Sequence, residues 1–164
     1  MITIKDLTVK NFMSVGNVTQ AVRFTDNGLT LVLGNNVDLG GDGSRNGTGK
    51  TTIINALSYA IYGNALTNIR KDNLINKTNG KAMLVTLDFV KDGVQYRIER
   101  GRRPNLLKYY VNEQNVDEDE AQGENRQTQT QIEKLFGMSH DMFKHIVALN
   151  TYTEPFLSMR ANDQ

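Results

Sequence analysis

The stretch that most constrains this chain is Ser44-Arg45-Asn46-Gly47-Thr48-Gly49-Lys50-Thr51-Thr52. Two glycines, then Lys-Thr-Thr, then apolar residues at helical spacing read as a phosphate-binding loop that opens a helix. Glycines at 47 and 49 let backbone N–H groups turn toward an anion. A helix beginning near Lys50 aims its positive end at the same spot. Lys50 is the candidate catalytic cation, reaching the β- and γ-phosphates of a nucleotide, and the Thr51 hydroxyl is the candidate Mg²⁺ ligand. Arg45, Asn46, Gly47, Thr48, Gly49 and Thr52 complete the expected ATP contacts. Upstream, Leu29 to Gly34 form a short apolar run suited to a buried strand feeding the loop. Downstream, Ile53, Ile54, Leu57, Ala60 and Ile61 recur at helical spacing, with Gly63 as the stop.

The loop departs from the pattern GxxxxGK[ST] in one respect. Ser44 stands where the first glycine belongs, with Gly43 one residue earlier and Gly34 at the end of the expected strand. Residues 35–44 therefore read as an insertion within the loop. The bland alternative is a Gly/Asn-rich surface turn before an ordinary helix. The order of strand, loop, Lys-Thr and apolar helix favours the phosphate loop.

A chain of 164 residues suits a single domain, 1–164, with a real core. The net charge of +1 announces no nucleic-acid partner, so any DNA contact must rest on a local patch. No cysteine is present, which excludes disulfides and thiolate metal sites. The first thirty residues lack a signal-peptide core and no 18-residue apolar run occurs, so a cytoplasmic, intracellular protein without membrane contact is expected.

Taken in order, residues 1–9 predict a strand, 11–16 a turn, and Val18 to Phe24 a second strand. After the loop helix (about 50–62), residues 63–81 are Asn-, Lys- and Thr-rich, with one helical turn near Ile69 to Ile75. Met83, Val85, Leu87 and Phe89 alternate, Lys91-Asp92-Gly93 turns, and Val94, Tyr96 and Ile98 alternate again: a hairpin. Leu106 to Val111 can add a third strand. The run Met83 to Asp88 imitates a Walker B strand, but it feeds a hairpin and is followed by Phe89 rather than Glu. Residues 113–124 are acidic and read as a solvated loop. Arg126 to Phe136 predicts an amphipathic helix with Ile132, Leu135 and Phe136 inward. Ser139 can cap a further helix holding Met142, Phe143, Ile146 and Val147.

Arg100, Arg102, Arg103 and Lys108 form a local basic cluster that could touch DNA phosphates. The alternative is a sheet edge protected by charge. Arg70, Lys71, Lys77 and Lys81 read as a solvated loop. His140 and His145 have no ligand-like spacing and read as surface or capping residues.

The segments Asn11-Phe12-Met13-Ser14, Asn46 to Thr52 and Ile54 to Gly63 together resemble the amino-terminal lobe of an ABC-type ATPase head. Within that class the resemblance is to the SbcC and Rad-fifty branch. The runs Met13-Ser14-Val15-Gly16 and Gly137-Met138-Ser139 with Phe143, Lys144, Ile146 and Val147 look most like its bacteriophage members, the large subunits of recombination endonucleases. The resemblance implies a head built from both ends of one polypeptide, with a coiled coil beginning near residue 160 and a carboxy-terminal lobe carrying the signature motif and Walker B pair. It implies ATP-driven pairing with a second head, a nuclease subunit, and DNA as substrate in a phage-infected cell. It also puts the Q-loop at residues 150–157, where Asn150 replaces the usual Gln as a Mg²⁺ contact; a plain turn residue is the alternative. The chain carries neither a signature motif nor an apolar run ending in Asp-Glu, so a fragment, or a lobe needing a second chain, is expected.

The expected fold is an α/β P-loop lobe of the ABC-ATPase type, with an antiparallel β layer beside the nucleotide-binding strand and helix. The expected function is the ATP-binding half-head of a DNA double-strand-break repair and recombination ATPase, inactive alone. Alternatives are a chromosome-structural or gap-repair lobe without a nuclease partner, a small kinase or GTPase, and a nucleotide-dependent interaction module.

Overall fold

The computed structural model describes residues 1–24, 28–35, 49–116 and 124–149. Strands β1 (Ile2–Lys10), β2 (Gln20–Arg23), β3 (Met83–Lys91), β4 (Val94–Arg102), β5 (Leu106–Val111) and β6 (Gln114–Asn115) form one sheet in the order β2-β1-β3-β4-β5-β6. Every pairing is antiparallel. The predicted hairpin stands: Lys91 pairs with Val94 across Asp92 and Gly93. Both turn residues have positive φ, 51° and 82°, as a tight hairpin following the strand twist requires.

One face of the sheet is apolar. Met83, Val85, Leu87 and Phe89 alternate into it from β3, and Ile98 and Tyr109 join from β4 and β5. β1 needs an irregularity to contribute along its whole length. Its register shifts between Ile4 and Asp6, so Ile2 and Ile4 before the shift share a face with Leu7 and Val9 after it. Without the extra residue, Leu7 and Val9 would point to the opposite face.

Helix α1 (Lys50–Tyr62) lies on this apolar face and is buried around most of its girth, including Asn55 and Ser58. Buried Asn55 is satisfied: its amide donates to the Thr51 carbonyl at 3.0 Å and its oxygen accepts from the Leu66 N–H at 2.9 Å. Helix α2 (Glu124–Phe136) packs beside α1, with Ile132 and Phe136 buried as expected and Leu135 half-buried. The Phe136 ring lies 5.0 Å from that of Phe89. Lys91 Nζ donates to the Leu135 carbonyl at 2.6 Å, placing a cation on the negative end of α2. A 3₁₀ turn, Lys71–Leu74, matches the expected helical turn.

Three expectations are corrected. Residues 28–35 form no strand, and Leu29 and Leu31 are 100% and 80% exposed. A strand needs a neighbour to pair with, and none of the six described strands pairs with this run. Next, β4 is an interior strand, so its cations do not guard an edge. Finally, the helix capped by Ser139 is short. Ser139 Oγ accepts from the Met142 N–H at 3.2 Å, but α3 (His140–Met142) gives way to a π-helical turn, Phe143–Val147. The wider turn buries Phe143 and leaves Met142, Ile146 and Val147 exposed. Most of the acidic run at 113–124 and all of 150–157 lie outside the described residues.

Candidate functional site

The end of the phosphate loop is set by Gly49, whose φ of 85° is left-handed and suits a residue without Cβ. Having no side chain, Gly49 offers no cap to the first-turn amides of α1, and that turn contains no acidic residue. Helix starts ordinarily recruit such acceptors. Here the opening turn keeps its positive character, with Lys50 half-buried and Thr51 exposed beside it. This donor set fits a polyphosphate, and the Thr51 hydroxyl fits an accompanying Mg²⁺. Arg45, Asn46, Gly47, Thr48 and Asn150 lie outside the described residues.

Thr52 comes next, 6% exposed, and its hydroxyl lies 3.0 Å from Ser14 Oγ in the turn after β1. A Cβ on Gly49 would stand 3.4 Å from the same Ser14 oxygen. The turn is fixed from behind. The Met13 N–H donates to the Leu74 carbonyl at 2.7 Å, and Asn76 Nδ2 donates to the Met13 carbonyl at 3.0 Å. Buried Asn11 donates to the Lys81 carbonyl and accepts from Asn79 Nδ2. The Asn-rich segment that reads as irregular is therefore the brace of this turn.

At the opposite end of α1, Arg100 Nε donates to the Ala60 carbonyl at 3.1 Å. Its Nη2 donates to the Ile61 carbonyl at 3.4 Å and to Gln129 Oε1 at 2.6 Å. The guanidinium stands over the Tyr59 ring, 6.0 Å from its centre. Burial pulls its pKa down to about 10, which leaves it charged at neutral pH. Arg100 is thus spent on the helix end, because β4 alternates Tyr96, Ile98 and Arg100 toward α1.

Of the other expected DNA contacts, Arg102 and Arg103 meet at Asp72 and Lys108 stands apart. Arg102 Nε donates to Asp72 Oδ1 at 2.6 Å, and Arg103 Nη2 approaches the same oxygen at 3.9 Å. The Arg102 hydrogen bond holds the Asp72 carboxyl below its ordinary pKa. Lys108, opposite Glu99 in the ladder, alternates to the face away from Arg100. A cleft of about 530 Å³ does collect cations: Lys71, Arg100, Arg102 and Arg126 line it, with Glu133 as the acid among the described residues. Burial first, and then the charges of Arg100 and Arg102, lower the Lys71 pKa. Sequence reasoning left Lys71 in a solvated loop and gave Arg126 no role, because only the fold brings them together.

His140 is half-buried and partnered. Its Nε2 lies 2.9 Å from Ser58 Oγ, and its ring 5.1 Å from that of Tyr62. Ser58 gives its one proton to the Asn64 carbonyl at 2.8 Å, so His140 Nε2 carries the hydrogen of the shared bond. Burial, then Lys144, lower the His140 pKa.

Comparison with known proteins follows the same lines. A family model described as an AAA domain matches residues 6–163. Exonuclease subunit 2 of Enterobacteria phage T4 is 35% identical over 152 residues, which make up 92% of this chain and 25% of that protein. The DNA double-strand break repair Rad50 ATPase of Archaeoglobus fulgidus is 33% identical over 100 residues, 61% of this chain and 10% of that protein. A structure from work on ATP-driven dimerization and DNA-stimulated activation of SMC ATPases superposes with a TM-score of 0.62 at 20% identity, covering 98% of this chain and 93% of that one. That likeness establishes the fold. The chain spans about a quarter of the length of the phage relative.

Proposed function

The chain belongs to the AAA-domain family, and from that premise we propose that it is the ATP-binding half-head of a DNA double-strand-break repair and recombination ATPase that works with a nuclease subunit. The observation that carries the reading is the start of α1, where left-handed Gly49, with no side chain to cap the helix, leads into a first turn without an acidic residue beside Lys50 and Thr51. Lys50 neutralises the outer phosphates, and the first-turn amides hold the inner ones. Thr51, with Asn150, would hold Mg²⁺, which supplies charge to the leaving phosphate oxygens. The general base and the signature contacts come from a carboxy-terminal lobe and a second head. The exposed apolar run Leu29 to Leu33 supports that division, since a strand there gains partners from outside the described sheet.

DNA is the expected substrate, and the cleft lined by Lys71, Arg102 and Arg126 is the candidate phosphate contact, with Arg103 at the neighbouring turn. No helix among the described residues is long and apolar enough to cross a membrane.

The test is ATP affinity with Mg²⁺ for the wild type and Lys50→Ala, with turnover followed in the same samples. Binding lost in the variant and negligible turnover in both are expected of a half-site. Robust turnover by the wild type alone would overturn the half-head reading, and equal binding by the variant would overturn the role of Lys50.

A further inference from the structure

We infer that Ser14 is a positioning residue of the nucleotide site: its hydroxyl donates to Thr52 Oγ1, leaving the Thr52 proton for a phosphate oxygen. The inference rests on the nucleotide reading of α1 given above. Its basis is the 3.0 Å separation between the two hydroxyl oxygens, one from the turn after β1 and one from the first turn of α1.

Each hydroxyl has one proton and two acceptor positions. A phosphate oxygen is an acceptor, so a hydroxyl that touches it must donate. If Thr52 donated to Ser14, it would meet the anion with lone pairs. The order that satisfies every group is Ser14 to Thr52 to phosphate, and donation along such a chain strengthens its last bond. Lys50 and Thr51 serve the outer phosphates and the metal, so Thr52 falls to the inner phosphates, which ATP and ADP share.

Two further features suit Ser14 to this task. Its backbone is held in place: the Val15 N–H donates to the Phe12 carbonyl at 2.9 Å and the Asn11 N–H to the Gly16 carbonyl at 2.8 Å. Its oxygen also faces the bare side of Gly49, where a Cβ would approach to 3.4 Å. A residue 38 positions away from Thr52 thereby forms a wall of the loop end.

The experiment uses the full chain with Mg²⁺ and compares wild type, Ser14→Ala, Ser14→Thr and Lys50→Ala. ATP and ADP affinities are measured together with the melting temperature without nucleotide. Loss of one neutral hydrogen bond predicts about a five-fold weakening for Ser14→Ala, by the same factor for both nucleotides. Ser14→Thr, which keeps the hydroxyl, restores affinity, and the nucleotide-free melting temperature falls modestly in Ser14→Ala, which loses the Ser14–Thr52 bond in the free protein as well. Wild-type affinity in Ser14→Ala overturns the inference, as does equal weakening by Ala and Thr. A weakening of ATP that ADP does not share also overturns it, because the inner phosphates are common to both nucleotides. Failure of the wild type to bind, or insensitivity of binding to Lys50→Ala, instead overturns the nucleotide reading itself.

Discussion

The Arg100 guanidinium donates to the Ala60 carbonyl, 3.1 Å away, and so closes the helix that Lys50 opens. The last carbonyls of a helix lack intrahelical partners and carry its negative end. Arg100 supplies both donors and charge there, from the centre of the sheet.

Truncation of that contact is expected to be costly. Arg100→Ala should destabilise the lobe by about 2–3 kcal/mol, because charged hydrogen bonds are lost and the Ala60 carbonyl loses its guanidinium donor, while Ile61 keeps only Gln129. Arg100→Lys should recover only part, since an ammonium lacks the planar fork. Urea unfolding measures both; an Ala variant as stable as wild type would remove Arg100 from the account.

Gly63, just past α1, has φ of 69°, and a Cβ there would stand 2.9 Å from Arg100 Nη1. Gly63→Ala should cost about 1–2 kcal/mol from left-handed strain alone, plus a steric share. Placed on Arg100→Ala, the steric share vanishes, and a double-mutant cycle reads the difference as coupling. Additive effects would mean that the guanidinium swings aside freely.

Acid should weaken the fold through His140. Its native pKa is lowered by burial, below the ordinary value of about 6.5. The unfolded chain therefore takes up the proton first as pH falls, and stability present above the ordinary value is lost as pH drops through the native pKa. His140→Gln keeps a donor toward Ser58 but does not titrate. Melting temperature followed from pH 8 to pH 5 should fall less for the variant than for wild type; parallel curves would exclude His140 as the source.

The exposed run before the loop gives a prediction of opposite character. Leu31→Asp with Leu33→Asp should leave the stability of this lobe within about 0.5 kcal/mol, as exposed positions do. The same pair should abolish association with a carboxy-terminal lobe, read by co-purification or sedimentation. Undiminished association would place the joining surface elsewhere.

For the basic cleft, Lys71→Gln with Arg126→Gln should weaken duplex DNA binding and lower the salt slope of the affinity by about 2 units, if each contacts one phosphate. ATP affinity should not change. An unaltered slope would exclude the cleft from DNA contact.

The sequence made the local features plain and left the assembled ones hidden. Alternation in β3 and β4, the Asp92-Gly93 turn, the stop at Gly63 and the Ser139 cap each rest on neighbouring residues, and each stands in the structure. Leu29 to Gly34 is a different case. Its apolar pattern asks for burial, but the partners that would bury it are not among the described elements. Arg100 read as a phosphate ligand because strand order cannot be seen in a linear pattern; once β4 is interior, its inward cation must find carbonyls. The bulge after Ile4 and the Ser14–Thr52 contact escaped for a similar reason, one depending on cross-strand register and the other on a long-range approach. The phosphate loop was legible only as a motif, and its residues Ser44 to Thr48, with Asn150, lie outside the described structure.

One consequence follows from how the end of α1 is fastened. Arg100 and Gln129 both grip the Ile61 carbonyl, so β4 and α2 are joined through the same peptide group. A rod clamped at its tail swings instead of sliding. α1 is about 20 Å long at 1.5 Å per residue, so a push of an ångström at Lys50 becomes a tilt of a few degrees about the clamp. Gln129 shares that clamp, so a tilt of α1 would reach α2 through this one peptide group, with Arg100 at the pivot.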